Sequence, residues 1–272
     1  RLVPQDTKSL SDLLSYACMA TVADCVSLAS PVNRLIVRKG IRDINTSNEP
    51  TWQVLREIIK KPGELITTKD IGFALAPRIN ADSRMGGDGT DALNFMLSED
   101  FDTALHFFEQ LTEKNKGRQK VQKEMVIDAK IEASKQYYEE GMRGLVLQFD
   151  EGSHGIQGIV ASKIKEMFNC PTICLSPKSH DERGEIFACS GRSVDGVDVS
   201  EVIERVKTRY PELGLQSGGH HGAFGGNLPK DNIPLLQQAF NELLLEYATE
   251  QGLAEDHFYP TIAIDVILKD HQ

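Results

Sequence analysis

The sequence has few of the features that mark membrane, secreted or disulfide-stabilised proteins. No apolar run approaches the roughly 18 residues that a membrane-spanning helix needs. The five cysteines are odd in number and form no Cys-x-x-Cys pair, which argues against disulfides and against the common zinc spacings. They are predicted to be buried free thiols, as in proteins of a reducing compartment. We therefore expect a cytoplasmic protein with no membrane partner.

The N-terminal stretch RLVPQDTKSL contains no apolar signal region and does not start with Met. We expect the chain to be a fragment of a longer polypeptide. Its 272 residues, of which 40% are hydrophobic, are enough for one large domain or two modest ones with real cores.

An excess of basic residues is also absent. The 40 Asp and Glu residues outnumber the 30 Lys and Arg residues, and the formal net charge is −10. Because non-specific affinity for nucleic acid comes from a basic surface, this composition argues against a generic nucleic-acid coat. A narrow basic groove on an acidic body is still compatible with it.

The pattern of the chain changes near Gly141. Before it, helical signals dominate and end in a long segment that contains only Gly117 as an interruption. After it, the strands RGLVLQFD, CPTICLS and EIFACSGRS alternate with helices, and YPTIAIDVIL closes as a strand. This alternation predicts an α/β fold with a mixed sheet.

Two further expectations concern interruptions of helices. The apolar spacing in LSDLLSYACMATVADCVSL predicts a helix that gives way to an extended TVADCV segment. A second helix is predicted to begin with Thr67 or Thr68 as its N-cap and to break at Pro77.

Two clusters suit an anion. Arg78 and Arg84 flank Asn80 in PRINADSR, and guanidinium groups bind oxyanions through parallel N–H bonds. The alternative for this segment is helix capping with surface salt bridges. The second cluster comprises Ser190, Gly191 and Arg192, at the end of an apolar strand. Glycine would let the backbone approach a ligand there, although Ser-Gly-Arg is also a common turn.

The stretch LQSGGHHGAFGG has three interpretations: a metal site, a phosphate-binding loop or a tight turn. Adjacent histidines in an extended segment point to opposite faces, so His220 and His221 would rarely bind one metal together. Gly218 and Gly219 would expose backbone N–H groups to a phosphate, with one histidine as a further donor. Phe224 is either a stacking residue for a base or part of the core.

Asp24 lies between apolar residues in MATVADCVSL, where burying a carboxylate is unfavourable. It is therefore expected to be paired, to cap a helix or to bind a hard metal ion.

Taken in order, these clusters resemble the RecJ single-strand-specific exonucleases of the DHH–DHHA1 phosphoesterase superfamily. MATVADCVSL resembles the family's Gly-Thr-Val-Ala-Asp motif, with Ala20 replacing glycine. DIGFALAPRINADSRM resembles its Pro-Arg-Ile-Asn-Ala signature, with Asp82 and Ser83 at two changed positions. LTEKNKGRQKVQKE, GIQGIVASKIKEMFNCPTICLS, SGRS and GGHHGAFG resemble the motifs that follow.

The resemblance implies the end of a DHH α/β domain over residues 1–50, a helical connector over 51–140 and a DHHA1 α/β domain with a mixed sheet over 141–272. It implies 5′–3′ hydrolysis of single-stranded DNA with Mn²⁺ or Mg²⁺. Asp24 would then be a metal ligand. The following residues would bind nucleic-acid phosphates on a shared cleft: Arg78, Asn80, Arg84, Ser190, Gly191, Arg192, Gly218, Gly219 and His220.

The sequence contains no Asp-His-His triplet and no early Asp-x-Asp, both of which the family carries upstream of the Asp24 motif. We expect the missing N-terminal DHH half to be required, and the chain alone not to hydrolyse DNA. Two alternatives are a phosphoesterase for short oligonucleotides or cyclic dinucleotides, and a non-catalytic single-strand-binding module. Neither the oligomeric state nor protein partners can be predicted.

Overall fold

A computed structural model describes residues 13–150, 154–181 and 184–261 of the chain. The chain divides into two compact units, Arg1–Gln119 and Lys120–Gln272, and each has its own hydrophobic core. Within the described ranges, no helix is both long and apolar enough to cross a membrane. The predicted strand in YPTIAIDVIL falls outside the described residues from position 262 onward, and residues 259–261 have no regular secondary structure.

The described part of the first unit is built from helices. They are α1 (Leu14–Ala23), α2 (Pro31–Thr46), α3 (Pro50–Ile59), α4 (Thr68–Asp70), α5 (Ala76–Arg84), α6 (Thr90–Leu97) and the first part of α7 (Phe101–Ser134). Proline stands in the first turn of α2 and of α3, where its missing N–H has no helical partner to lose. Trp52, Phe95 and Phe108 are fully buried in the core of this unit.

The helix that carries Arg78 passes through Pro77 without a break. Thr67 closes a capping box with Asp70, as predicted for the start of this helix. A π-helical turn, Ile71–Leu75, then joins α4 to α5. Because this wide turn changes the hydrogen-bond pattern, and Pro77 falls in the first turn of α5, the chain tolerates the missing N–H. The predicted break at Pro77 is therefore wrong.

The predicted extended segment TVADCV is wrong at its first residues. Thr21 belongs to α1, and its Oγ1 donates a 2.7 Å hydrogen bond to the carbonyl oxygen of Ala17. This bond satisfies the hydroxyl within the helix, so the β-branched side chain does not end it. The chain leaves the helix at Asp24, and Cys25 adopts a φ of 52°.

The second unit contains a five-stranded mixed sheet, which confirms the predicted α/β class together with the long helix α7. Its strands are β1 (Leu145–Gln148), β2 (Thr172–Asp181), β3 (Gly184–Arg192), β4 (Gln216–His220) and β5 (Ala223–Pro229). Their order is β1-β2-β3-β5-β4, with β1 and β2 parallel and the other pairs antiparallel. The helices of this unit are the end of α7, α8 (Gln157–Phe168), α9 (Val199–Arg209) and α10 (Ile233–Glu250).

The two faces of the sheet differ where β5 and β4 lie. On one face, Phe224 and Leu228 of β5 are buried, and α9 contacts both β4 and β5. Helix α8 contacts β2 and β3, and it covers the opposite face. On that opposite face, Gly218 of β4 and Gly225 of β5 are exposed.

The glycine-histidine stretch is a β-hairpin, and the predicted loop is therefore wrong. β4 and β5 are joined by His221 and Gly222 alone. Neither His221 nor Gly222 has a positive φ, so this turn does not depend on the left-handed backbone conformation that glycine favours. The strands β4 and β5 could not be predicted from the sequence, because strand prediction depends on alternating side chains and glycine has none.

Candidate nucleic-acid interface

The hairpin places Arg192 and His220 on the same face of the sheet. Arg192 pairs with Ala223, and Ala223 pairs with His220. Side chains at paired positions of neighbouring strands point to the same face. These three residues form what we call the phosphate row, in which the two polar side chains lie on either side of one small alanine.

A second row lies two residues further along the strands, on the same face. Ser190 pairs with Gly225, and Gly225 pairs with Gly218. We call Gly218 and Gly225 the glycine floor, because neither has a side chain to fill the space between Ser190 and the edge of the sheet. A ligand can therefore approach the backbone closely at this point.

The guanidinium of Arg192, the last residue of β3, lies beside the start of α8. Its Nη1 donates hydrogen bonds to Ser190 Oγ at 3.1 Å and to the Gly191 carbonyl oxygen at 2.7 Å. The space beside Gly158 is occupied by the same guanidinium, since a Cβ at Gly158 would lie within 2.4 Å of Nη2. Gly158 belongs to the first turn of α8, where the helix dipole is positive. A guanidinium next to a helix N-terminus favours an anion.

His220 is exposed and has a defined donor atom. The backbone N–H of Gly222 donates to His220 Nδ1 over 3.2 Å. Because Nδ1 accepts this bond, the proton of the neutral ring is assigned to Nε2. The ring of His221 lies 5.4 Å from that of His220, so the expectation that they point to opposite faces is wrong. That expectation assumed an extended segment, whereas His221 stands in the turn.

Two neighbouring glycines, Gly191 of β3 and Gly219 of β4, serve packing. A Cβ at Gly191 would lie 2.0 Å from the Phe224 ring, and one at Gly219 would lie 2.3 Å from the carbonyl oxygen of Ala223. Gly191 therefore makes room for Phe224 on the face that α9 covers. Phe224 is 4% exposed, which decides between the two predicted roles of this ring in favour of the core.

In the first unit, Arg78 is packed against α7. Its Nε donates to Thr112 Oγ1 at 2.9 Å, and the guanidinium carbon lies 5.2 Å from the centre of the Phe108 ring. Burial lowers the pKa of Arg78 from its ordinary value. On α5, Asn80 lies two residues from Arg78 and therefore on a different side, whereas Asn80 and Arg84 are four residues apart and share a side.

Arg84 lies close to a second guanidinium, that of Arg118 on α7. Burial, and then the positive charge of Arg84, lower the pKa of Arg118. Arg118 is oriented by Asn115, whose Oδ1 accepts bonds of 3.2 Å from Nε and 2.8 Å from Nη2. Two guanidinium groups that repel each other are stabilised by an anion placed between them. Of the three residues predicted to suit an anion, Asn80 and Arg84 therefore share one side of α5, whereas Arg78 lies on another.

Asp24 is exposed, so the expectation of an expensively buried carboxylate is wrong. It ends α1 as the C-cap, and its N–H donates to Ala20 at 3.0 Å. The π-turn that precedes Arg78 lies nearby, since a Cβ at Gly72 would be 3.8 Å from Val22 Cγ1. Among the described residues, no group of three or more His, Cys, Asp or Glu side chains could hold a metal ion. Asp24 by itself does not fit a complete metal centre.

Residues 141–246 match the DHHA1 domain. Over 245 residues the chain is 32% identical to the single-stranded-DNA-specific exonuclease RecJ of Escherichia coli, covering 88% of this chain and 41% of that protein. Over 259 residues it is 30% identical to RecJ of Bacillus subtilis, covering 94% of this chain and 30% of that protein. The chain is RecJ-like.

Solved structures support the same relationship. RecJ from Thermus thermophilus in complex with Mg²⁺ superposes with a TM-score of 0.70 at 26% identity, over 88% of this chain and 35% of that one. An exonuclease RecJ bound to manganese superposes with a TM-score of 0.69 at 24% identity, over 88% of this chain and 56% of that one, and it supports the fold. The RecJ-like chain thus spans well under half the length of the curated relatives named above.

An ion triad that the sequence did not single out includes Asp82, one of the two positions at which this chain differs from the RecJ signature. Asp82 is 2% exposed, and its Oδ1 accepts a 2.5 Å bond from Lys114 Nζ, which also contacts Asp91 Oδ2 at 2.6 Å. Hydrogen bonds from Lys114 to Asp82 and Asp91 raise the lysine pKa. This ion triad ties α5 and α6 to α7. In the RecJ-like chain it therefore fixes the two helices that carry Asn80, Arg84 and Arg118.

Proposed function

We propose that this chain supplies the nucleic-acid-binding part of a metal-dependent exonuclease that degrades single-stranded DNA in the 5′–3′ direction. The observation that carries the proposal is the phosphate row with its glycine floor: Arg192, Ser190 and His220 surround a surface that presents backbone in place of side chains. The names of the relatives supply the substrate, single-stranded DNA.

The chemistry of the phosphate row suits a nucleic-acid backbone. Arg192 offers a delocalised cation and His220 offers an Nε2–H donor, while Ser190 of the neighbouring row adds a hydroxyl. A phosphate accepts charge-assisted hydrogen bonds from such groups. Because the rest of the chain is acidic, non-specific attraction of duplex DNA is weak. Binding then depends on close contact between a single DNA strand and the glycine floor.

A second anion-binding cluster in the first unit comprises Asn80, Arg84 and Arg118. We propose that it also contacts phosphates of the substrate, and that Arg78 of α5, which packs against α7, supports it. The buried thiols are consistent with a cytoplasmic location, where cysteines stay reduced.

For the complete protein we propose Mn²⁺ or Mg²⁺ as the cofactor, the ions named for the solved RecJ structures. Asp24 would be one ligand, since its carboxylate is exposed at the end of α1. A divalent ion there would stabilise the oxygens of a phosphodiester that is being hydrolysed. One carboxylate does not make such a site, so the other ligands would have to lie outside the described residues.

The proposal is tested by measuring the binding of labelled single-stranded DNA across a salt titration. Replacing Arg192 by Ala should weaken binding by about tenfold or more, because a charge-assisted bond to phosphate is lost. The slope of log affinity against log salt should fall by roughly 0.7, the value for one phosphate contact on a single strand. His220→Ala should also weaken binding, with a smaller change in slope.

Arg209→Ala is the matched control. Arg209 is exposed and contacts Glu242 and Glu246, so this variant removes the same charge away from the phosphate row. Arg209→Ala should bind like the unchanged chain. If Arg192→Ala and Arg209→Ala behaved alike, the assignment of the phosphate row would be wrong.

A further inference from the structure

A third row of the same sheet face carries two amide side chains. Ala188 of β3 pairs with Asn227 of β5, and Asn227 pairs with Gln216 of β4. We call Gln216 and Asn227 the amide row. Because they lie an even number of residues from His220 and Ala223, their side chains point to the face that carries the phosphate row.

The amide of Asn227 has a fixed orientation. Lys178 Nζ donates to Asn227 Oδ1 over 2.9 Å. Lysine can only donate, so the atom that faces it must be the amide oxygen, and the NH₂ group is directed elsewhere. The side chain of Lys178 reaches β5 because the pairing of β2 with β3 shifts between Pro177 and Ser179, and the small Ala188 separates them. A bulge of this kind redirects a side chain.

Gln216 is exposed at the edge of the sheet. Across the described ranges, its side chain makes no hydrogen bond to another residue, and the NH₂ group of Asn227 makes none either. The amide row therefore offers N–H donors beside the glycine floor. It lies roughly 14 Å from the phosphate row, since four strand residues rise about 3.4 Å each.

We propose that the amide row binds the base of a nucleotide that neighbours the phosphate at Arg192 and His220. Asn227, oriented by Lys178, donates to a carbonyl oxygen of the base, and Gln216 offers a second donor or acceptor to the same edge. Amide side chains form such bonds with base edges. The inference rests on the proposed single-strand binding, and it adds a base contact to a surface that otherwise recognises only the backbone.

The test compares three homopolymer strands, dT, dA and dC, with an abasic strand of equal length. Asn227→Ala should weaken binding of at least one base-bearing strand by about three- to tenfold, the effect of one or two neutral hydrogen bonds. It should leave the abasic strand unaffected. Gln216→Ala should act in the same direction, and the double variant should bind the three homopolymers with equal affinity.

Gln238→Ala is the matched control, because Gln238 is an exposed amide on α10. His220→Ala should weaken binding of every strand, the abasic one included. If the unchanged chain binds single strands and the amide variants match Gln238→Ala on all of them, the base contact is refuted while the proposed function stands. If the unchanged chain binds no single strand, the proposed function itself fails.

Discussion

At the scale of single residues, the cysteines divide sharply by exposure. Cys25 is exposed, whereas Cys18, Cys170, Cys174 and Cys189 are buried. Burial raises the pKa of Cys18 to about 11 and the pKa values of Cys170 and Cys189 to about 12, and it raises that of Cys174 as well. A raised pKa keeps a thiol protonated at mildly alkaline pH, and only the thiolate is a good nucleophile.

We therefore expect a thiol reagent at pH 8 to modify one cysteine per native chain rapidly. After unfolding in denaturant, all five should react. Cys25→Ser should abolish the rapid phase and leave four slow thiols, as counted by mass spectrometry. Rapid modification of two or more cysteines in the native chain would contradict the burial described for this fold.

The sequence singled out candidate residues, but it did not predict the surroundings of all of them. Arg192 and His220 could be singled out because glycine and a strand end surround them. Asp24 could not be placed correctly, because Val22 and Val26 imply burial only if the segment is extended. Once Thr21 continues the helix, the carboxylate falls at the helix end and faces solvent. Lys114 gave no signal at all, because its partners Asp82 and Asp91 are distant in sequence.

At the scale of elements, α9 begins with a strong side-chain cap. Asp198 Oδ1 accepts bonds of 3.0 Å from the N–H of Ser200 and 3.1 Å from that of Glu201. Burial raises the pKa of Asp198, but the hydrogen bonds from Ser200 and Glu201 outweigh it and hold the pKa below its ordinary value. The cap therefore stabilises the fold above the carboxyl's unfolded pKa, and this stabilisation is lost as the pH falls through the folded pKa.

Asp198→Ala should lower the free energy of unfolding by about 1 kcal/mol at pH 7, the usual effect of losing an N-cap. The difference between the variant and the unchanged chain should shrink as the pH falls below the carboxyl's ordinary pKa of about 3.9. Urea unfolding at several pH values measures both effects. Asp195→Ala, at an exposed carboxylate just before the cap, should be nearly neutral. An effect of Asp198→Ala that grew with acidity would reverse the expected sign.

Most elements could be predicted, and the errors share a cause. Helices α2, α3 and α7 and strands β1 to β3 follow from apolar periodicity, which their sequences show clearly. The hairpin of β4 and β5 was missed because glycine removes the alternation that marks a strand. The passage of the helix through Pro77 depends on the π-turn at Ile71–Leu75, and such turns have no reliable sequence signature.

At the scale of the whole molecule, binding and hydrolysis should be separable. We expect the 272-residue polypeptide to bind single-stranded DNA and to release no nucleotides with Mn²⁺, because Asp24 is the single ligand carried over from the family's motifs. Release of acid-soluble label measures hydrolysis, with RecJ of Escherichia coli as the positive control. Mn²⁺-dependent release that is lost in Asp24→Asn would overturn the expectation of inactivity.

The domain boundaries at residues 50 and 140 remain predictions. The DHHA1 match begins at residue 141, whereas the compact units divide at Gln119 and Lys120, within α7. A continuous helix carries no composition change where the packing partners change. The sequence pattern alone could therefore locate the end of α7. It could not locate the boundary between the two compact units, which lies inside this helix.

Trp52 is the single tryptophan of the chain. It is fully buried in the first unit, with its ring 5.0 Å from that of Tyr16. Indole fluorescence therefore monitors the melting of that unit alone, whereas far-ultraviolet circular dichroism sums the helices and strands of both. Coincident midpoints from the two signals would indicate one cooperative transition, and separated midpoints would reveal a partly folded species in between.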